Sequence, residues 1–156
     1  MRRAIAICPL DPLRQVGTVT LAAHDRHRRR IRMTDDDGED FLLDLPSATY
    51  LRDGDGLALD DGGIVAVRAA LEEVADIHAA SPEQAARLAW HVGNRHVPVQ
   101  VLPGGGLRLA ADPVLLALAE CLGAEVTRHR AAFQPEPGAY DPHGLLAAPD
   151  PLVRWG

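Results

Sequence analysis

Two pairs of a capping residue followed by proline mark the helix starts in the second half of the chain. Ser81 precedes Pro82, and Asp112 precedes Pro113. Serine and aspartate are favoured N-caps, and proline fits the first helical position, where no backbone N–H is needed. Extended segments are predicted before, between and after the two helices, at residues 71–77, 97–102, 107–110 and 125–130. This order of strand, helix, strand, strand, helix, strand predicts a ferredoxin-like βαββαβ domain.

The first of these helices is predicted over residues 82–92. Its apolar residues recur at i, i+3, i+4 and i+7, the spacing of one buried face: Ala85, Leu88, Ala89 and Val92. Gly93 is expected to end the helix by adopting a positive φ, which glycine does without steric cost. His96 is therefore predicted to lie in a tight turn, at a fixed and exposed position, before the extended residues 97–102.

The second helix is apolar on all sides. Between Val114 and Leu122 only Glu120 is charged, and Gly123 is expected to end the helix. A helix that is apolar all round must be covered on more than one side. One side packs on the sheet, and a second subunit is the predicted cover for the other.

Residues 13–67 have the pattern of an all-β region. Short runs of apolar residues are separated by turns rich in aspartate and glycine, which favour hairpins. Strands are predicted at residues 16–21, 30–33, 41–45, 57–59 and 64–67. The whole chain is thus predicted to be α+β, with an N-terminal all-β domain, a ferredoxin-like domain and a flexible Pro-rich C-terminal tail. The predicted bounds are 1–70, 71–133 and 134–156.

Two charge runs in the first half allow a functional or a structural interpretation. The basic residues 26–32 could contact phosphate, and Asp35, Asp36 and Asp37 could bind calcium. The aspartates lack the spacing of an EF-hand loop, and exposed charge is what protein surfaces normally carry. The structural interpretation is favoured for both runs.

Charge and hydropathy restrict the class of protein. The formal net charge of −6 argues against a surface for nucleic acid or anionic lipid. The N-terminus begins like a signal peptide but soon meets Pro9 and Asp11, and no apolar run approaches the ~20 residues of a membrane span. A soluble, cytoplasmic protein is expected. Cys8 and Cys121 define neither a disulfide framework nor a paired-thiol zinc motif.

Two short motifs resemble the signatures of a known family. Gly93-Asn94-Arg95-His96, followed by Val97-Pro98, is similar to G-N-R-H-x-P. The second is similar to F-x-P-E-x-G-A-Y and runs from Phe133 to Tyr140. Together they resemble UreE, the urease accessory family that carries nickel. The resemblance extends from about Gly17 to Tyr140.

The histidines are the candidate metal ligands. Neutral imidazole suits nickel, copper and zinc, but a stable site usually needs about four ligands, which can come from one chain or from two. His96 and His143 are predicted to bind the metal. The resemblance implies a homodimer with His96 at its two-fold axis and tail histidines completing the site. His91 is the alternative ligand, with a structural role favoured, and His78 and His129 are expected at the surface.

The resemblance implies a nickel metallochaperone rather than an enzyme. Its expected cargo is Ni(II), with Zn(II) and Cu(II) as alternatives at the same site. Its expected partners are the urease accessory GTPase and the complex of urease apoprotein with accessory proteins, and its N-terminal domain would be peptide-binding-like. Many members have a histidine-rich tail, whereas this tail has only His143, which favours delivery over storage. The competing interpretations are a small metal-dependent hydrolase and an RNA-binding module.

Overall fold

The computed structural model describes residues 1–137, which belong to two compact units. The first unit comprises Met1–Glu72 together with Ala131–Gln134. The second comprises Glu73–Arg130 and continues from Pro135. No helix among residues 1–137 is long and apolar enough to cross a membrane.

The first unit is a six-stranded mixed sheet, which confirms the all-β prediction. Its strands are β1 (Arg2–Pro9), β2 (Gln15–Leu21), β3 (His27–Thr34), β4 (Asp40–Tyr50), β5 (Asp55–Leu59) and β6 (Ile64–Ala69). The strand order is β2-β6-β5-β1-β4-β3. The pairs β1–β4 and β2–β6 are parallel, and the other pairs are antiparallel. Among the residues of the first unit, the only helical segment is a 3₁₀ turn at Ala23–Asp25.

Strand β1 was not predicted, yet it lies in the interior of the sheet between β4 and β5. Ala4 is fully buried and is the Cα partner of Leu43 on one side and of Leu59 on the other. The other residues of β1 are exposed or half-buried, so the strand lacks a periodic pattern of buried apolar residues. Its place in the sheet comes from backbone pairing on both edges, which no local sequence pattern reveals.

The core of the first unit is built almost entirely from aliphatic side chains. Full burial of a valine or leucine side chain stabilises the folded state by about 1.5–3 kcal/mol. The buried cluster consists of Ala4, Val19, Met33, Phe41, Leu43, Leu45, Leu51, Leu57, Leu59, Val65 and Val67.

The acidic turn between β3 and β4 is a structural element. Asp35 is buried, and its Oδ1 accepts the backbone N–H groups of Asp37 at 3.0 Å and Glu39 at 2.8 Å. Asp36 reaches the sheet edge, where its carboxylate accepts the N–H and the hydroxyl of Thr20 at 3.0 and 2.7 Å. The Asp36 N–H donates to the carbonyl oxygen of Thr18 at 2.7 Å. Asp35 and Asp36 thus order backbone, a structural role, although Asp35 is buried and is not the exposed charge that the sequence predicted.

The basic run on β3 is paired with nearby carboxylates. Arg28 donates to Asp25 at 2.8 Å, Arg30 lies 3.6 Å from Asp44, and Arg32 pairs with Asp40. The Arg32 guanidinium is the main cause that lowers the pKa of Asp40. Such exposed pairs contribute little stability each, but they neutralise much of the positive charge.

Arg26, in contrast, is a fully buried cation. Its guanidinium lies 5.3 Å from the ring centroid of Tyr50 and donates to the carbonyl oxygens of Leu51 and Phe133. These bonds hold the first residue of the second motif in the first unit.

The second unit has the predicted ferredoxin-like order. It contains β7 (Leu71–His78), α1 (Pro82–Asn94), β8 (Gln100–Val101), β9 (Leu107–Ala110), α2 (Pro113–Cys121) and β10 (Glu125–Ala132). The sheet order is β10-β7-β9-β8. Both helices contribute to its core, which consists of Ile77, Leu88, Val92, Leu107, Leu109, Leu115 and Ala119.

The ends of α2 follow the sequence signals, whereas the strand after α1 is shorter than predicted. The Asp112 carboxylate accepts the N–H groups of Val114 and Leu115 at 2.8 and 3.2 Å, and Gly123 has a φ of 78°. Of the predicted residues 97–102, only Gln100–Val101 pair as a strand. Pro98 has no N–H to donate to a ladder, so pairing begins after it.

We expect Asp35→Ala to lower the free energy of unfolding by about 2 kcal/mol, because two backbone N–H groups lose their acceptor. Asp37→Ala is the matched control, since it removes the same charge from an exposed side chain of the same turn. Its effect should stay within about 0.5 kcal/mol. Urea denaturation followed by circular dichroism measures both variants. Equal losses would show that Asp35 does not order the turn.

Candidate metal centre

The position of the candidate site is set by α1. Ser81 Oγ accepts the N–H of Gln84 at 3.2 Å, and Gln84 Oε1 accepts the N–H of Ala80 at 3.0 Å, so the first turn is capped. Leu88 and Val92 are each 2% exposed and fix the helix on the core. The predicted buried face is only partly correct, because Ala85 is half-buried and Ala89 is exposed.

The end of α1 differs from the prediction in which residue adopts the positive φ. Gly93 was expected to take a positive φ, but it remains within α1, which continues to Asn94. The N–H groups of Arg95 and His96 donate to the carbonyl oxygens of Val92 and Gly93, both at 3.1 Å. These i→i−3 bonds tighten the last turn and move the change of direction past Gly93. The left-handed residue is His96 itself, with a φ of 54°.

His96 is thus held at a backbone position that a side chain rarely occupies. The left-handed region costs an L-residue about 1–2 kcal/mol, and histidine is among the non-glycine residues found there more often than average. His96 is exposed, as predicted. Its imidazole is therefore accessible to a metal ion while its backbone is fixed by the helix end.

Downstream of His96, the second motif contacts the segment that follows the first motif. The N–H of Glu136 donates to the carbonyl oxygen of Val99 at 2.7 Å. Glu136 Oε1 accepts the N–H of Val101 at 3.0 Å. The second motif thus attaches to the strand that the first motif introduces. Sequence reasoning matched Glu136 to the F-x-P-E pattern but gave it no role, because the partners of this side chain are tertiary.

The other candidate histidine of the turn region, His91, is half-buried in α1. Its ring lies edge-on to Trp90, with 5.0 Å between ring centroids and 83° between ring planes. The structural role that the sequence favoured for His91 stays a prediction.

On the sheet, His129 belongs to a charge cluster around Asp76. Its Nε2 lies 2.9 Å from Asp76 Oδ2. Arg108 donates to the same carboxylate through Nε and Nη2 at 2.7 and 2.9 Å, a bidentate pair. Arg108 and, to a smaller extent, His129 hold the pKa of Asp76 below its ordinary value. His129 is therefore a half-buried partner of Asp76 rather than a plain surface residue.

His143, the second predicted ligand, lies outside the described residues. Within residues 1–137, no group of three or more His, Cys, Asp or Glu side chains is arranged to hold a metal ion. His78, which was expected at the surface, is exposed, and its ring lies against Gly106.

Comparison with known proteins covers both units. Residues 7–70 match the family model described as the UreE urease accessory protein, N-terminal domain, and residues 72–147 match the model of its C-terminal domain. A urease accessory protein UreE of Bradyrhizobium sp. (strain ORS 278) is 49% identical over 123 residues, which cover 79% of this chain and 58% of the relative. That of Azorhizobium caulinodans is 46% identical, covering 83% of this chain and 62% of the relative.

A shorter relative matches along most of its length. The urease accessory protein UreE of Chelativorans sp. (strain BNC1) is 43% identical over 130 residues, which cover 83% of this chain and 82% of the relative. This chain spans about 60% of the length of the Bradyrhizobium and Azorhizobium relatives. All three relatives are named as accessory proteins, not as enzymes.

Because His96 has a left-handed backbone, glycine at position 96 should be more stabilising than alanine, the reverse of their order inside a helix. His96→Gly should unfold with a free energy about 1 kcal/mol higher than His96→Ala, because glycine adopts a positive φ freely. At His91, inside α1, the order should reverse, since glycine is about 1 kcal/mol less favourable than alanine in a helix. Urea titrations of the four variants test this. Equal stabilities of the two variants at position 96 would contradict a left-handed turn in solution.

Proposed function

This chain belongs to the UreE family of urease accessory proteins, and on that premise we propose that it is a nickel metallochaperone. It binds Ni(II) and delivers the ion to the urease maturation machinery. The observation that carries the proposal is His96, an exposed imidazole held by the backbone of a turn between a capped helix and a sheet edge. His96 and His143 are the proposed protein ligands.

The chemistry of imidazole fits a transition-metal cargo. Neutral histidine nitrogen binds nickel, copper and zinc well, so Zn(II) and Cu(II) can occupy the same ligands. Because His96 is already fixed, little ordering entropy is lost at this ligand when the metal arrives. Because it is exposed, a receiving protein can approach the bound ion directly.

A homodimer would supply the remaining ligands. In an isologous interface equivalent residues meet at the two-fold axis, so two copies of His96 can share one ion. The helix that leads into the His96 turn has an exposed apolar side that suits such an interface. Trp90, at its centre, is 64% exposed, and Ala86, Ala89 and Gly93 are exposed beside it. Tryptophan is enriched at the energetic centres of interfaces, and small neighbours allow close approach.

Helix α2, which motivated the dimer prediction, is covered on one side only. Leu115, Leu116 and Ala119 are buried, whereas Val114 is 63% exposed. Its exposed side is a second apolar surface, but α1 continues directly into the His96 turn. A shared site at His96 therefore favours α1 as the centre of the dimer interface.

The chain length between Glu136 and His143 is compatible with His143 as a ligand at this site. Glu136 hydrogen-bonds to Val99, three residues after His96, and His143 follows Glu136 by seven residues. Seven residues span at most about 25 Å when fully extended. Each chain of a dimer can then contribute one imidazole from the turn and one from the C-terminal segment, which makes four.

The proposed partners are the urease accessory GTPase and the complex of urease apoprotein with its accessory proteins. The relatives are named for an accessory role to urease, and transfer of a metal ion requires contact with the receiving protein. The proposed place of this transfer is the cytoplasm.

Nickel titration of variants tests the ligands. His96→Ala should abolish tight binding without unfolding the protein, because a dimer loses two fixed ligands. His143→Ala should weaken binding more modestly, since water can replace a ligand from the C-terminal segment. His91→Ala is the control and should bind nearly as the unchanged chain does. Calorimetry with nickel and zinc measures all of them, and a His96→Ala chain that binds normally would refute the site.

The oligomeric state tests the interface. We expect the full chain to sediment as a dimer and Trp90→Glu to sediment as a monomer, because a buried charge would face its own copy across the axis. Val114→Glu is the matched control, since Val114 is equally exposed but lies on α2. It should leave the dimer intact. A strictly monomeric unchanged chain at tens of micromolar, with nickel present, would contradict the shared site.

A further inference from the structure

We infer that Glu136 is a positioning residue for His96: its hydrogen bonds to Val99 and Val101 fix the segment that follows the His96 turn. The inference rests on the proposed function, because it concerns how the metal ligand is aimed. Glu136 itself is not proposed to touch the metal.

The backbone on the two sides of His96 is held very differently. Before His96, the helix end supplies the bonds from Arg95 and His96 to Val92 and Gly93. After His96, the first strand pairing is between Gln100 and Arg108. Residues 97–99 between these points have no ladder partner among the described strands. Pro98 cannot donate a backbone hydrogen bond.

Glu136 acts on this weakly held segment. Val97 and Val99 pack partly against the core, which restrains their side chains but not the direction of their carbonyl groups. The N–H of Glu136 donates a hydrogen bond to the carbonyl oxygen of Val99 at 2.7 Å, and its carboxylate accepts one from the N–H of Val101 at 3.0 Å. Glu136 thus supplies a backbone donor to Val99, just before β8, and a side-chain acceptor to Val101, within β8.

The position of β8 in the sheet explains why the hydrogen bonds from Glu136 matter. In the order β10-β7-β9-β8, β8 is an edge strand only two residues long. An edge strand has hydrogen-bonding groups on its outer side that no strand of its sheet satisfies. With Glu136 in place, the free stretch after His96 is reduced to Val97 and Pro98, and the turn is fixed from both ends.

The test compares three full-length chains: the unchanged chain, Glu136→Ala and Glu136→Gln. Nickel affinity of Glu136→Ala should fall about tenfold, the lower range for residues that orient a metal ligand. Glu136→Gln should bind nearly as the unchanged chain does, because its amide oxygen still accepts the Val101 N–H. Amide exchange at Val101 in the metal-free chains should be faster in Glu136→Ala than in Glu136→Gln.

Two controls separate this effect from charge and from the C-terminal ligand. Glu73→Ala removes an exposed carboxylate of the same unit, paired at 3.0 Å with Arg130, and should leave nickel affinity unchanged. Glu136→Ala should also weaken binding in a His143→Ala background. A loss confined to chains that retain His143 would place the effect in the C-terminal segment and overturn the inference.

Other outcomes are equally decisive. Alanine keeps the backbone bond to Val99, so Glu136→Ala tests the carboxylate bond to Val101. Unchanged affinity in this variant would overturn the positioning role of the Glu136 side chain, and so would an equal loss in Glu136→Gln, which would indicate charge rather than hydrogen bonding. If His96→Ala binds nickel normally, the proposed function fails. If binding depends on His96 but not on Glu136, only the present inference fails.

Discussion

The candidate site depends on the burial of two side chains, Leu88 and Val92. A helix of the length of α1 is marginal in water by itself, so its stability must come from packing. Both side chains belong to the core cluster that includes Ile77 and Leu109 of the sheet. With the helix fixed at that point, its last turn delivers His96 to one place. The position of the proposed metal ligand thus depends on the packing of aliphatic side chains.

Much of the second unit could be predicted from sequence because its signals are local. Ser81 and Asp112 both cap helices as serine and aspartate usually do, and Gly123 takes the positive φ that a helix end favours. The prediction for Gly93 was wrong, because the preference of glycine for a positive φ at a helix end was applied to a glycine that lies inside the helix. In this helix the bonds of the last turn, from Arg95 and His96 to Val92 and Gly93, place the left-handed residue at His96.

The features that sequence could not supply are tertiary. Strand β1 is held by neighbours on both sides and needs no amphipathic pattern of its own. The structural role of Glu136 comes from its bonds to Val99 and Val101, which lie far from it in the chain. Likewise, His129 was expected at the surface because nothing in the sequence announces its carboxylate partner, Asp76. For the site, sequence could name His96 and its exposure but not its backbone conformation or the residue that holds the following strand.

The bonds between Asp36 and β2 bear on how copies of this chain behave at high concentration. β2 is an edge of the six-stranded sheet, and a bare edge recruits strands from other molecules into aggregates. The Asp36 side chain and N–H occupy the Thr20 N–H and the Thr18 carbonyl, two of the groups such recruitment would use. A charged side chain at this position also repels an incoming copy that carries the same residue. The acidic turn thus makes this edge of the sheet a poorer template for a strand of another molecule.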